Sequence, residues 1–155
     1  KIGLWMQGQL LLAFIVGVLV YLGLALMQVP YALLLALLAA VFELIPIFGP
    51  VLAAIPAVLI AFFSGTGLIA SPGVGSAIAV ILFYVIIQQF ENHLIYPLVV
   101  RKVVGVPPIM VIVAIVVGAQ AAGLLGIILA VPVAAALMEF ASDIQKEKKL
   151  ARGTR

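Results

Sequence analysis

Two unbroken apolar runs, residues 5–27 and about 75–96, constrain this chain more than any other feature of its sequence. The hydrocarbon core of a bilayer is about 30 Å thick, and a helix rising about 1.5 Å per residue needs about 20 residues to cross it. Each run has that length and reads as a full transmembrane helix, the second stopped by Pro97. Composition leaves no other solvent for them. Of 155 residues, 67% are apolar, against eight basic and five acidic side chains, and the mean hydropathy is +1.44. A water-soluble domain of this size cannot cover itself with so little polar surface. The fold class that follows is all-α integral membrane, with the lipid bilayer as its surroundings.

The remaining apolar sequence is broken. Residues 31–63 are interrupted at ELIPIFGP (residues 43–50), and residues 107–140 are interrupted around residues 120–126. Limbs of about 15 residues give about 22 Å of helix, short for a crossing. Both pieces read as re-entrant helical hairpins, with Pro46, Gly49 and Pro50 at the first break and Gly123 and Gly126 at the second. The alternative for each is two short, tilted spans joined by a tight turn, since proline alone kinks many membrane helices. Either way each piece returns the chain to the side it left. Unpaired peptide groups are costly in lipid, so irregular backbone at depth must be buried in protein or line a wet cavity. The breaks are therefore candidates for function.

The two broken pieces also look alike. Val29-Pro30 opens the first and Val106-Pro107 the second, and Gly49 and Gly126 keep the same offset. GPVLAAIP (residues 49–56) then runs against GIILAVP (residues 126–132) with one residue dropped. The unit is a full helix followed by a broken hairpin, used twice, over about 1–73 and 74–140 of one transmembrane domain, 1–155. A span plus a returning hairpin crosses an odd number of times, so the second copy is upside down relative to the first. Inverted repeats of this kind build many secondary transporters, whose discontinuous helices meet within the membrane.

Charge placement agrees with this topology. Five of the eight basic residues (Lys146, Lys148, Lys149, Arg152, Arg155) lie in the last ten positions, within a tail of residues 141–155. If that tail is cytoplasmic, Arg101 and Lys102 lie on the same side, as does Lys1, and the uncharged connection 64–73 lies outside. The tail lacks interleaved aromatics and follows a hydrophobic helix, so it reads as a juxtamembrane segment and not as a nucleic-acid site. The run 5–27 is too long for a signal-peptide core and leads straight into more apolar sequence, and with no initiating methionine the chain reads as a fragment.

A carboxylate within the bilayer needs a reason to be there. Glu43 falls at the tip of the first hairpin and Glu91 deep in the second span, at depths that allow them to meet. Tyr84, Gln88, Glu91 and Asn92 follow i, i+4, i+7, i+8 spacing and share a helix stripe. Such a stripe suits a cation or a hydroxyl-rich solute, with Glu91 or His93 able to carry a coupling proton. The bland reading is that Gln88, Glu91 and Asn92 only join this helix to the first hairpin. For His93, beside Pro97, a headgroup-zone position is the better reading. Gln120, between Gly118 and Gly123, is the strongly polar side chain at the second break and the counterpart of Glu43. Glu139 and Asp143 sit at helical spacing from the tail lysines and read as interfacial pairs, and Gln7 and Gln9 as interfacial residues at the start of the first span. Small residues four apart, Ala13 and Gly17 or Ala36 and Ala40, suit close helix packing.

Enzyme chemistry finds no footing. There is no phosphate-binding glycine loop, no HExxH, no cysteine at all and one histidine, so neither a cofactor nor a metal site is expected.

Three blocks quoted or spanned above, GQLLLAFIVGVLVYLGLALMQVPYALLLALLAAVFELIPIFGP, QQFENHLIYPLVVRKVVGVPP and GLLGIILAVPVAAAL, resemble in order those of the AI-2E (autoinducer-2 exporter-like) transporter family. The resemblance covers nearly the whole chain and implies that it is a C-terminal half, the N-terminal half being absent. It further implies a bacterial inner-membrane transporter, a homo-oligomer with a pentamer as one candidate, that exports a small signalling solute such as autoinducer-2 or, in other members, exchanges sodium or lithium for protons. By position, the family's proline-glycine motif falls on Pro46, Gly49 and Pro50, and its glutamate-asparagine pair on Glu91 and Asn92, with Pro97 after it. Many members carry asparagine where this chain has Glu43, and an acid there favours cation coupling.

The expectation is a secondary active transporter with a site formed by Glu43, Gln88, Glu91, Asn92 and Gln120, its substrate a small solute or a monovalent cation exchanged for protons. The rival from another class is a non-transporting oligomeric membrane scaffold whose polar stripe serves assembly alone.

Overall fold

Lipid offers peptide groups no hydrogen-bond partner, and the helix is the segment that satisfies them internally. The computed structural model is helical accordingly and describes residues 2–45, 48–69, 71–95 and 108–153. Its elements are α1 (Ile2–Leu26), α2 (Ala32–Phe42), α3 (Gly49–Ser64), α4 (Val74–Phe90) continued by a π-helical turn (Glu91–Ile95), and α5 (Pro108–Gly153). Among the described residues extended pairing is limited to an isolated bridge between Thr66 and Ile69. Pro46, Pro97 and the Arg101-Lys102 pair, which the sequence singled out, lie outside the described residues.

Among the described residues, three helical stretches are long and apolar enough to cross a membrane: Met6–Leu26, Val74–Ile95 and Ile109–Met138. The first two coincide with the full spans read from the sequence. The third falls on the second broken piece, and its helix is not continuous, because Ala122 (φ −144°, ψ 20°) and Gly123 (φ 57°, ψ −133°) leave helical geometry. A methyl group placed on Gly118 would lie 3.4 Å from the Gly126 Cα and would strike the Gly126 carbonyl. In a straight helix those two residues stand about 12 Å apart, so α5 folds back on itself at Ala122–Gly123, inside the window the sequence marked.

The chain divides into two compact units, Gln7–Arg101 and a second made of Lys1–Met6 with Lys102–Arg155. In the first unit, α1 turns one stripe inward: Gln9, Leu12, Ala13, Val16, Val20 and Leu24 are buried, while Phe14, Leu22 and Leu26 are exposed. The helix ends as the left-handed Gln28 (φ 54°) brings the Val29 N–H onto the Leu24 carbonyl (2.9 Å) and its own N–H onto that of Ala25 (3.0 Å). This is the Schellman termination that glycine usually makes, and Pro30 then bars further helix.

The first broken piece is a helical hairpin, with α2 and α3 packed against one another. Pro50 stands in the first turn of α3, where its missing N–H leaves no intrahelical bond unmade. Gly49 is required at the turn: a Cβ there would strike the Phe42 carbonyl. The two open ends of the hairpin meet, the Gly67 N–H donating to the Met27 carbonyl at 2.8 Å. Small residues set the approach of α2 to α1, since a Cβ on Gly17 would stand 3.0 Å from the Ala40 Cβ and 3.5 Å from the Ala36 carbonyl. Those are the four-residue-spaced small positions of the sequence. Gly23 likewise leaves room for the Phe83 ring of α4.

Outward faces are apolar on every helix of this unit, as at Leu33, Leu37, Leu59 and Ile86, whereas Gln9, Glu43 and Glu91 are buried. Polar groups inside and hydrocarbon outside is the arrangement of a chain whose solvent is lipid.

Candidate functional site

Helix α2 ends where its last orphan carbonyls need partners. Glu43 caps it, and the Glu43 N–H closes onto the Ala39 carbonyl at 2.9 Å. The Glu43 carbonyl is taken by another helix: the Gln9 side-chain amide of α1 donates to it at 2.6 Å. Gln9 was expected at the interface; at 4% exposure it is instead a buried clamp on the hairpin turn. Nothing in the local sequence distinguishes it from Gln7. The signal was available only in its register, because Gln9 falls on the buried stripe that continues through Leu12, Ala13 and Val16.

The Glu43 side chain points into the unit, where it is 4% exposed and lies within hydrogen-bonding reach of the Glu91 carboxyl. Gln88 donates from Nε2 to Glu91 Oε2 at 3.1 Å. Two carboxyls from different elements, one at the hairpin turn and one on α4, thus face each other in an apolar setting. Both are acceptors unless a proton or another cation stands between them. Glu43 Oε2 has no hydrogen-bond donor, and neither does the buried hydroxyl of Tyr84 have a partner. An unsatisfied buried polar group costs about 1–3 kcal/mol, so two lining one cavity make it the candidate site.

These groups surround a cavity of about 10 Å³ lined by Glu43, Tyr84, Gln88 and Glu91 with Val16, Val20, Ala39, Pro50, Ala53 and Ile87. That volume is close to the least that admits one water molecule, roughly 10–15 Å³. Among the described residues no group of three His, Asp or Glu side chains converges as metal ligands do.

Of the residues expected in a site, the structure brings Glu43, Gln88 and Glu91 together and adds Tyr84 from the same stripe. Asn92 is not among the residues lining the cavity and is exposed. Asn92 follows Glu91 directly, about 100° further round a regular helix, which puts it at the edge of the stripe, and the segment Glu91–Ile95 is π-helical. Such turns inside helices are frequent at functional sites. His93 is exposed as well, its Nδ1 3.0 Å from the Gln89 carbonyl, a local contact that leaves it away from the carboxyls. Gln120 is exposed in the second unit, two residues before its fold-back, and Gly123 and Gly126 form that fold-back.

The comparisons with known proteins come from the same stretch of sequence. Over 151 residues the chain is 36% identical to "Putative transport protein YueF" of Bacillus subtilis, covering 97% of this chain and 39% of that protein. It is 33% identical over 137 residues to "Putative transport protein YrrI" of the same organism, covering 88% of this chain and 36% of that protein. A cyanobacterial relative, "Putative transport protein sll0063" of Synechocystis, is 34% identical over 143 residues, 92% of this chain and 34% of the relative. The chain therefore spans rather more than a third of the length of these relatives, less than the half expected. The family described as AI-2E family transporter matches residues 1–146, and to that family the chain belongs.

Proposed function

We propose that this chain is the part of a secondary active transporter in which the Glu43–Glu91 carboxyl pair couples proton movement to the transported species. The single observation that carries this reading is the pair itself: two buried carboxyls in mutual reach, one on a hairpin turn and one at a π turn. Such a pair is stable in a dry site when it holds a proton or a cation and unstable when it holds neither. That is the property an alternating carrier needs. The scaffold alternative offers no reason for the carboxyls to face one another, because amides would join the helices at lower cost.

In this reading the first hairpin is re-entrant. Helix α2 has 11 residues, about 16 Å, against the roughly 30 Å of a bilayer core. The fold-back of α5 is the second hairpin of the repeat, and the C-terminal tail and the other basic residues are cytoplasmic in a bacterial inner membrane. The protein works as a homo-oligomer. Asn92 and Gln120, both exposed, are given no part in the coupling site.

We take the transported species to be a small solute such as autoinducer-2, moved outward, as the resemblance drawn from the sequence implies. A second reading, exchange of a monovalent cation such as sodium or lithium for protons, is favoured by the acid at position 43 and by a cavity with no room for a sugar-like solute. Flux through the full-length protein in proteoliposomes separates them. Glu91→Gln should abolish proton-coupled exchange of either species, and a panel of solutes and cations then identifies which gradient the wild type dissipates. Coupled flux that survives Glu91→Gln unchanged rules the carboxyl pair out.

A further inference from the structure

We propose that the cavity beside the carboxyl pair is the seat of one bound water, held by the Tyr84 hydroxyl and Glu43, and that this water hands the proton to and from the pair, with Tyr84 as its positioning residue. The inference rests on the coupling role given above to Glu43 and Glu91.

Three observations carry it. Glu43 and Tyr84, 4% and 8% exposed, each have a buried oxygen, Glu43 Oε2 and the Tyr84 hydroxyl, without a hydrogen-bond partner, and both residues line the same cavity. The volume, about 10 Å³, matches a single water and nothing larger. The third is the hydrogen-bonding inventory. A phenolic O–H needs an acceptor, and a carboxylate oxygen needs a donor. Water supplies both at once, accepting from Tyr84 and donating to Glu43 Oε2. A bare cation would draw on the carboxyl oxygen without itself accepting the phenolic proton, whereas one water meets both needs. Buried waters typically have two to four polar partners, and Gln88 and Glu91 also line the cavity.

Placed there, the water bridges a group that does not give up its proton in the cycle, Tyr84, and a pair that does. The transfer is balanced: the water donates one proton to a carboxylate oxygen as it takes one from the side of entry, and it is regenerated. Neither bond to carbon nor redox change is involved. Ala53, 1% exposed, and Ala39, 2% exposed, wall the cavity with methyl groups and give a way to close it without touching any polar atom.

The test uses the full-length protein in proteoliposomes, with proton flux read in H2O and D2O. Tyr84→Phe keeps the ring and removes the anchor. Ala53→Val keeps the anchor and fills the space. Both should slow coupled proton flux about tenfold or more and change its solvent isotope ratio, while the apparent affinity for the transported species stays within about twofold. Wild-type flux and isotope ratio in Tyr84→Phe would overturn the proposal, as would a defect in Ala53→Val alone, which is a packing effect. If either variant fails to fold, the wild-type structure at a resolution that shows ordered waters decides: density between Tyr84 and Glu43 that persists without sodium or lithium supports it. An empty cavity, or density that comes and goes with those ions, overturns it. A silent Glu91→Gln sinks the coupling reading itself, whereas an inactive Glu91→Gln beside a silent Tyr84→Phe sinks only the water.

Discussion

At Gly49 the first hairpin brings its glycine against the Phe42 carbonyl, and at Gly126 the second fold-back brings its glycine against the Gly118 carbonyl. The same device closes both turns: a missing Cβ lets one limb's backbone rest on the other's, an approach that any side chain forbids. What the turns carry is different. Around the first, Glu43 is buried, its carbonyl is held by Gln9 and its carboxyl faces Glu91. Around the second, Gln120, Ala121 and Ala122 are exposed and Gly123 has open space where a Cβ would stand. One turn is committed to a buried polar network, and the other is bare backbone. The chemistry of this unit is thus a property of the surroundings of a hairpin, and being a hairpin does not supply it.

The largest effect expected from this contrast is on transport. Glu43→Gln in the full-length protein should lower proton-coupled flux in proteoliposomes by about a hundredfold, the usual scale for loss of a proton-transfer group. The double variant with Glu91→Gln should do no further harm, because the two carboxyls act as one unit. Additive losses would mean that the acids serve separate steps, and the contrast between the turns would lose its basis.

Next in size are the glycines at the two pinch points, where even the sign of the effect is informative. Gly49→Ala and Gly126→Ala should each destabilise the detergent-solubilised protein by about 1–3 kcal/mol, since a methyl would be forced into a backbone carbonyl. Residues 109–138 are long and apolar enough to form one continuous helix. In such a helix Gly126→Ala would stabilise, by about 0.5–1 kcal/mol. Thermal unfolding of the two variants side by side therefore asks whether the second segment is folded back as the first is. Gly123→Ala checks the same point independently: with no atom near the added methyl, its whole cost is the φ of 57°, about 1–3 kcal/mol where the turn exists, against a gain of about 0.5–1 kcal/mol in a straight helix.

Much of this fold was legible from run length and punctuation. The two full spans came from counting apolar residues against bilayer thickness, and both breaks were located by glycine and proline within apolar text. The meeting of Glu43 with Glu91 was legible too, because a carboxyl in a lipid-facing sequence has few tolerable places and the two stood at compatible depths. Two things were not. Asn92 was assigned by its i+4 spacing from Gln88, but it stands about 100° round the helix from Glu91, and the spacing alone did not tell that this edge of the stripe is exposed. Gln9 was assigned by its distance from the end of a run, which gives depth but not direction, while its place on the buried stripe gave direction and was the better guide.

A smaller prediction follows from that misplaced glutamine. Gln9→Leu removes the donor that satisfies the Glu43 carbonyl at the end of α2, leaving a buried orphan acceptor, and should cost about 1 kcal/mol. Because the same bond fixes where the hairpin turn stands against α1, flux should fall with stability. Gln9→Leu with normal flux would show that the turn holds its place through Gly49 and the carboxyl pair alone.

The smallest effect sharpens the comparison most. Gln120 is the strongly polar side chain at the second break, and by sequence it is the counterpart of Glu43. Its exposure, and that of the residues after it, argue that it supports no network, so Gln120→Ala should change stability by less than about 0.5 kcal/mol. Coupled flux should stay within about twofold of the wild type, while the apparent affinity for the transported species is unmoved. A large loss of flux with stability intact would mean that Gln120 is bare in this chain because its partner lies elsewhere in the assembled transporter. The two turns would then be equivalent halves of one pathway, differing only in whether their polar groups are satisfied within the chain or beyond it.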